Sequence, residues 1–201
     1  MANVKLAIIY YSSTGTIHGM AERLQQAGEK AGAEVRLRQV AELAPEEAIA
    51  SNTAWSQHFD RTKNEPKATA DDIVWADAVL LGTPTRYGNV ASQLKQYLDT
   101  LGAQWGQGLL ANKAYAGFTA SQTAHGGQES TLLALYNSIY HFGGVIVPPG
   151  YTDPLKFADG NPYGVSHVTG ATNDAPVPDE VTAALDHLAT RIITIAAKLK
   201  D

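Results

Sequence analysis

The feature that most constrains the fold of this 201-residue chain is an apolar run that leads through a hydroxyl-rich loop into a helical pattern. Residues 4–10 predict a buried strand, and the pattern from Thr16 to about Ala31 predicts a helix. Between them, four of the six residues of segment 12–17 carry a hydroxyl and none carries a charge. Such a loop can hold a phosphate through its hydroxyls and the free N–H groups of the helix start. An ordinary Ser/Thr-rich helix cap is the alternative.

Further strands alternate with helices along the chain. The strands are predicted at residues 34–40, 77–82, 113–119 and 144–147. The helices are predicted at about 91–101, 128–142 and 181–199, the last from apolar residues at three- and four-residue steps. This alternation predicts an α/β fold with a parallel sheet and helices on both faces. Five strands favour the doubly wound, flavodoxin-like order 2-1-3-4-5, in a single domain over residues 1–201.

Two segments exceed what five strands require, namely 51–70 and 150–176. The first is polar and turn-rich and contains Trp55, His58 and Phe59, whereas the second is rich in Gly, Pro, Asn and Asp. Loops of this length are usually functional or disordered. Their aromatic residues favour packing against another surface, such as a neighbouring subunit.

In doubly wound sheets, ligands bind outside the carboxyl ends of the strands, which draws attention to the loops after the third and fourth strands. In the first of these loops, 82–90, Pro84 stiffens the strand exit and Gly88 permits close backbone approach. Its remaining candidate contacts are Thr85, Arg86, Tyr87 and Asn89. The loop 120–129 has small residues and paired glycines whose N–H groups can approach a planar ring. An exposed turn and a flexible linker are the respective alternatives.

Composition excludes several classes of function. The formal net charge of −5 and the lack of a dense Lys/Arg cluster argue against nucleic-acid binding. The absence of Cys removes disulfides, thiolate nucleophiles and iron–sulfur clusters, and no His/Asp/Glu spacing suggests a metal site. The sequence has no NTPase phosphate loop and no Gly-x-Gly-x-x-Gly after the first strand.

The hydropathy pattern gives no sign of membrane insertion. No apolar run has transmembrane length, and no basic segment followed by an apolar stretch stands at the N-terminus. We therefore expect a cytoplasmic protein.

Five motifs occur in order along nearly the whole chain. They are Tyr10-Tyr11-Ser12, Gly82-Thr83-Pro84-Thr85-Arg86-Tyr87-Gly88-Asn89, Gly126-Gly127-Gln128-Glu129, Val145-Ile146-Val147-Pro148 and Pro162-Tyr163-Gly164. Together they resemble the WrbA-type flavodoxin-like NAD(P)H:quinone oxidoreductases. The run from Gly82 to Asn89 is the most specific of the five.

This resemblance implies bound FMN, two-electron reduction of quinones to hydroquinones by NADH or NADPH, and a homotetramer. For the FMN phosphate it implies Ser12, Ser13, Thr14, Gly15, Thr16 and Ile17. For the isoalloxazine ring it implies Pro84, Thr85, Arg86, Tyr87, Gly88 and Asn89, with Ser121, Gln122, Thr123, Ala124, His125 and Gly126 on the pyrimidine side. It places His141 against the flavin, and Trp105 and Thr14 where quinone or nicotinamide stacks. No side chain is assigned a catalytic role, because the flavin carries the hydride.

The chain departs from the family pattern in two loops. Many relatives carry an aromatic residue followed by Gly-His where this chain has Thr14-Gly15-Thr16. The loop 121–126 is one residue longer than usual, with His125 in place of a small residue. Outside these loops, His141 is also suited to capping its helix, and Trp105 to a core position.

Two other functions are compatible with the same fold. A flavodoxin-type one-electron carrier would need an exposed and strongly acidic docking face, and the net charge of −5 is modest for that purpose. A non-enzymatic FMN-binding regulatory module would engage another protein, and no surface pattern in the sequence specifically supports it.

Overall fold

The computed structural model describes residues 3–200 as a parallel sheet with helices on both faces. The strands are β1 (Lys5–Tyr10), β2 (Glu34–Gln39), β3 (Ala78–Pro84), β4 (Ala114–Ser121), β5 (Val145–Ile146) and β6 (Val165–Val168). The helices are α1 (Thr16–Lys30), α2 (Glu46–Ala50), α3 (Thr53–Thr62), α4 (Ala70–Trp75), α5 (Ser92–Asp99), α6 (Gly102–Gly106), α7 (Gln128–Phe142), α8 (Lys156–Asp159) and α9 (Asp179–Leu199). The order β2-β1-β3-β4-β5 confirms the predicted doubly wound topology.

Two short strands share the edge position beside β4. β5 pairs with the start of β4, where Val145 lies opposite Ala114. β6 pairs with the end of β4, where Val165 lies opposite Phe118. Between the two strands the chain leaves the sheet over residues 147–164, a segment that contains α8 and is called the excursion below. β6 therefore lies inside segment 150–176, which the sequence predicts only as an insertion.

The sheet has a hydrophobic core on each face. On one face, Leu6 and Ile8 of β1 pack with α1 and with Leu188 of α9. On the other face, Ala7 and Ile9 pack with residues of α5 and α7. Because β1 is buried on both faces, its sequence is a continuous apolar run rather than an alternating one.

Segment 51–70 folds against the carboxyl end of β2. The Asn52 side chain accepts a hydrogen bond from the Trp55 N–H at 3.0 Å and so caps α3. Lys67 Nζ donates to the Gln39 side chain at 2.7 Å, and the Ala68 N–H donates to the Gln39 carbonyl at 2.9 Å. These contacts hold α3 beside the loop that follows β1.

Within residues 3–200, no helix has both the length and the apolar character needed to cross a membrane.

Candidate cofactor site

A cavity of about 500 Å³ opens at the carboxyl ends of β1, β3 and β4. Its lining from the predicted loops consists of Ser12, Ser13, Thr14, Thr16, Ile17, Pro84, Thr85, Arg86, Tyr87, Ser121, Gln122, Thr123 and Gly126. The structure therefore brings together the three loops that the strand order predicts. The volume lies in the range of small-molecule and cofactor sites.

The first loop presents the start of α1 to the cavity. Gly15 is the N-cap residue of α1, with a left-handed φ of 108° that glycine adopts without a Cβ penalty. The Gly15 N–H donates to Ser12 Oγ at 3.1 Å. No side chain of the described residues caps α1, and its first turn holds no acidic residue. The N–H groups of that turn are thus available to an anion, which the helix dipole also favours.

The second loop is a closed turn built around Thr85. The Thr85 hydroxyl accepts hydrogen bonds from the Gly88 N–H at 3.2 Å and from the Thr131 hydroxyl at 2.7 Å. Arg86 and Asn89 exchange backbone hydrogen bonds of 2.8 and 3.0 Å. The turn is therefore held by its own hydrogen bonds and by α7.

The third loop packs directly on the second. A Cβ at Gly127 would lie 2.8 Å from the Cα of Gly88, so only glycine permits this contact. The Ser121 hydroxyl donates to the Thr123 carbonyl at 2.7 Å, which folds the loop back on itself. The second and third loops together form two sides of a slot that suits a planar ring.

Five of the site residues predicted in the three loops do not line the cavity. They are Gly15, Gly88, Asn89, Ala124 and His125. The three in the first and second loops shape the backbone there, as described above. Ala124 and His125 lie at the exposed tip of the third loop.

Arg86 supplies positive charge at the cavity. It is the one charged residue among the described lining residues. One guanidinium nitrogen donates to Ser13 Oγ at 3.3 Å and another donates to the Thr85 carbonyl at 3.2 Å. Arg86 therefore bridges the first and second loops instead of extending freely into solvent, while its neighbour Tyr87 is fully exposed.

Four lining residues come from outside the predicted loops. Asn52 and Trp55 belong to the start of α3, and Thr169 and Asn173 follow β6. The Thr169 N–H donates to the Ser121 carbonyl at 2.8 Å and fixes this segment to β4. Both insertions are recognisable in the sequence, but no local pattern indicates that they fold back onto this edge of the sheet.

Trp105 and His141 lie far from the cavity of their own chain. α7 begins at the cavity, and His141 occupies its last turn, about 20 Å further along the helix axis. The indole N–H of Trp105 donates to the His141 carbonyl at 2.7 Å, so the two residues lie together. Within a single chain, Trp105 of α6 and His141 of α7 therefore lie at the end of the sheet opposite the cavity.

The cavity offers binding groups rather than acids and bases. Hydroxyl and N–H donors stand at one end, and a slot between the second and third loops stands at the other, with Arg86 as its charged group. These residues fit a phosphate ester that carries a planar ring. Chemistry at such a site has to come from the bound group.

A doubly wound parallel sheet with an uncharged, hydroxyl-rich loop after its first strand defines a flavodoxin-like protein. More narrowly, the chain belongs to the NADPH-dependent FMN reductase family, which matches residues 4–153.

Similar proteins agree with this assignment. The chain is 45% identical over 199 residues to the NAD(P)H dehydrogenase (quinone) of Deinococcus radiodurans, covering 98% of both chains. It is 37% identical over 204 residues to the protein of that name from Sinorhizobium fredii, covering 98% of this chain and 99% of the relative. A WrbA-like flavodoxin from Agrobacterium tumefaciens superposes with a TM-score of 0.66 at 19% identity, covering 98% of this chain and 99% of that chain. The relatives confirm the family resemblance, and the solved structure confirms the fold.

Proposed function

We propose that this protein binds FMN and uses NADH or NADPH to reduce quinones to hydroquinones. The observation that carries the proposal is the cavity itself, which joins the uncapped start of α1 to a slot between the second and third loops. It occurs in a chain 45% identical to an NAD(P)H dehydrogenase (quinone). The proposed location is the cytoplasm.

In this proposal each loop has its own task. Residues 12–17 bind the phosphate through N–H and hydroxyl donors, and residues 84–89 and 121–126 hold the ring between them. When bound, FMN would supply the hydride chemistry that links the nicotinamide to the quinone, with a proton completing the hydroquinone. The loops align the reactants and exclude water. Arg86 places a positive charge where it stabilises negative charge on the ring.

The proposal extends to a homotetramer. Trp105 and His141 lie too far from the cavity of their own chain to reach its ligand. Both are exposed, and Trp105 retains 54% of its accessible surface. A second copy that docks this end of its sheet at the cavity mouth would let both residues cover the open face of the ring, beside Thr14.

The test combines cofactor binding with turnover. We expect the cofactor-free protein to bind FMN at micromolar concentrations with a change in the visible flavin spectrum. The loaded protein should then oxidise NADH or NADPH only when benzoquinone is present. Lack of FMN binding would overturn the proposal, and binding without quinone-dependent oxidation would identify an electron carrier instead.

The same assay addresses the departure at Thr14. Replacing Thr14 with Tyr restores the aromatic residue that many relatives carry. If that side chain limits nicotinamide use, the KM for NADH or NADPH falls while FMN affinity is unchanged. Unchanged kinetics would show that Thr14 does not limit the reaction.

A further inference from the structure

Trp55 forms a wall of the cavity that none of the three loops supplies. It lines both the cavity and an adjoining one of about 170 Å³ that extends toward the end of β2. Ser12 and Ser13 line the same two spaces, so the indole stands against the start of the first loop. Because the indole separates the two spaces, it limits the access of water to this end of the cavity.

The half-buried carboxylate of Glu42 fixes the orientation of this indole. The Trp55 indole N–H donates to Glu42 at 3.0 Å. Glu42 also accepts from the Tyr11 hydroxyl at 2.9 Å and the Gln93 amide at 2.8 Å, besides two backbone N–H groups. Burial alone would raise the pKa of Glu42, but these hydrogen bonds outweigh it and lower that pKa. The charged carboxylate therefore holds the indole in one orientation.

His58 contacts the same loop from the next turn of α3. The three-residue spacing puts Trp55 and His58 on one face of the helix. His58 is 2% exposed, and a Cβ at Gly15 would lie 3.4 Å from its Nδ1. Its Nε2 makes no hydrogen bond to any residue in the described part of the chain. A buried polar atom without a partner is costly, so the placement of a histidine side chain against Gly15 calls for an explanation.

Charged groups of both signs lie around His58, since Arg61 and Lys67 are cationic and Glu22 lies 3.5 Å from the neighbouring His18. The His58 ring meets that of His18 edge to face, with centroids 5.2 Å apart. Arg61 and Lys67 also act on it electrostatically, and Glu65 lies 3.9 Å from His18. A guanidinium nitrogen of Arg61 would lie 3.9 Å from a Cβ at Gly15, so positive charge stands close to the first loop and favours an anion there.

We propose that α3 is part of the phosphate site, with Trp55 and His58 as positioning residues for segment 12–17. His58 supports Gly15, which keeps the start of α1 in its anion-binding shape. Trp55 excludes water, which strengthens hydrogen bonds from neutral donors. This inference depends on the proposed function in one respect, since it takes FMN as the phosphate ester that binds.

The test compares FMN with riboflavin, which has the same ring but no phosphate. Dissociation constants are measured by flavin fluorescence for the wild-type chain, Trp55→Ala, His58→Gln and a matched control, Gln57→Ala, whose side chain is exposed on the same helix. We expect the first two variants to weaken FMN binding about tenfold, or about 1.4 kcal/mol, with less than about a threefold change for riboflavin. Trp55→Phe should restore FMN affinity to within about threefold of wild type, because it keeps an apolar wall.

Two results would overturn this inference. One is an equal loss of affinity for FMN and riboflavin, which would mean that Trp55 and His58 act on the ring or on the whole fold. The other is unchanged FMN affinity in both variants. Thermal unfolding of the cofactor-free variants checks folding, and Trp55→Phe and His58→Gln provide the comparison if Trp55→Ala does not fold. A third result separates the two proposals. If the variants lose affinity for FMN selectively but the wild type shows no quinone-dependent turnover, only the proposed enzyme activity is overturned.

Discussion

At the scale of single residues, His58 links the phosphate loop to the pH dependence of folding. Burial, together with the charges of His18, Arg61 and Lys67, lowers the pKa of His58 from 6.5 to about 4. In the unfolded chain this imidazole keeps its ordinary pKa, so between pH 6.5 and 4 the unfolded state binds more protons than the folded state. The stability that His58 contributes is therefore complete above pH 6.5 and is lost as the pH falls toward 4.

Replacing His58 with Gln should remove this part of the pH dependence. We expect the melting temperature of the cofactor-free wild type to fall more steeply between pH 7 and pH 4.5 than that of His58→Gln. Burial also lowers the pKa of His187, which contributes to the slope in both proteins. His125→Gln, at an exposed histidine, is the control and should follow the wild type. Parallel curves for wild type and His58→Gln would contradict the expectation.

At the scale of elements, α8 depends on an ion pair that is completely buried. Lys156 Nζ donates to Asp159 at 2.6 Å and to the Gly164 carbonyl at 3.2 Å, and both charged side chains are 0% exposed. Burial lowers the pKa of Lys156 and raises that of Asp159. Lys156 joins α8 to the segment before β6 through its bond to the Gly164 carbonyl, and Asp159 balances its charge. The pair therefore holds the excursion closed.

Breaking this pair from one side should be costly. Asp159→Asn leaves the Lys156 ammonium buried without a countercharge, and we expect a loss of about 3–5 kcal/mol in the free energy of unfolding. The matched control is Asp60→Asn, since Asp60 and Lys63 form an exposed pair with the same three-residue spacing, and about 1 kcal/mol or less is expected there. Urea unfolding measures both losses, and similar values for the two variants would contradict the prediction.

The elements also show what the sequence can and cannot predict. β1, β3 and β4 are buried apolar runs, so their positions follow from local hydrophobicity. β6 has four residues, one of them exposed, and its pairing depends on the end of β4 being left free. In α3 two of the ten residues, His58 and Thr62, are buried, and both are polar, so its sequence is typical of a polar loop.

The same distinction holds for the candidate site. The three loops could be predicted because parallel strands place their carboxyl ends on one edge of the sheet. Trp55 and Ser12 line the same cavities although they are far apart in sequence, and this arrangement depends on how the whole insertion packs. Trp105 and His141 match the family by position, but a position in a motif does not specify which copy of the chain completes a site.

At the scale of the whole molecule, the proposed tetramer has a direct test. The end of the sheet that carries Trp105 also exposes Tyr140 to 69% of its surface. We expect native mass measurement to give four times the 21.4 kDa chain mass. Trp105→Ala should retain FMN affinity and lose most quinone-dependent turnover, because the open face of the ring is then uncovered.

An exposed aromatic residue elsewhere provides the control for this variant. Phe157 stacks on Tyr151 on the excursion, and Phe157→Ala should leave turnover unchanged. A monomeric wild-type protein with full turnover would contradict the proposed arrangement.

The divided edge of the sheet also bears on how this protein avoids aggregation. A long, flat edge strand is a template for strands of other chains. Beside β4 an incoming chain meets strands of only two and four residues, with the excursion between them. At the opposite edge, β2 carries Glu34, Arg36 and Arg38, and such charges oppose strand addition. The interruption that makes room for α8 therefore also protects the sheet from uncontrolled pairing at high protein concentration.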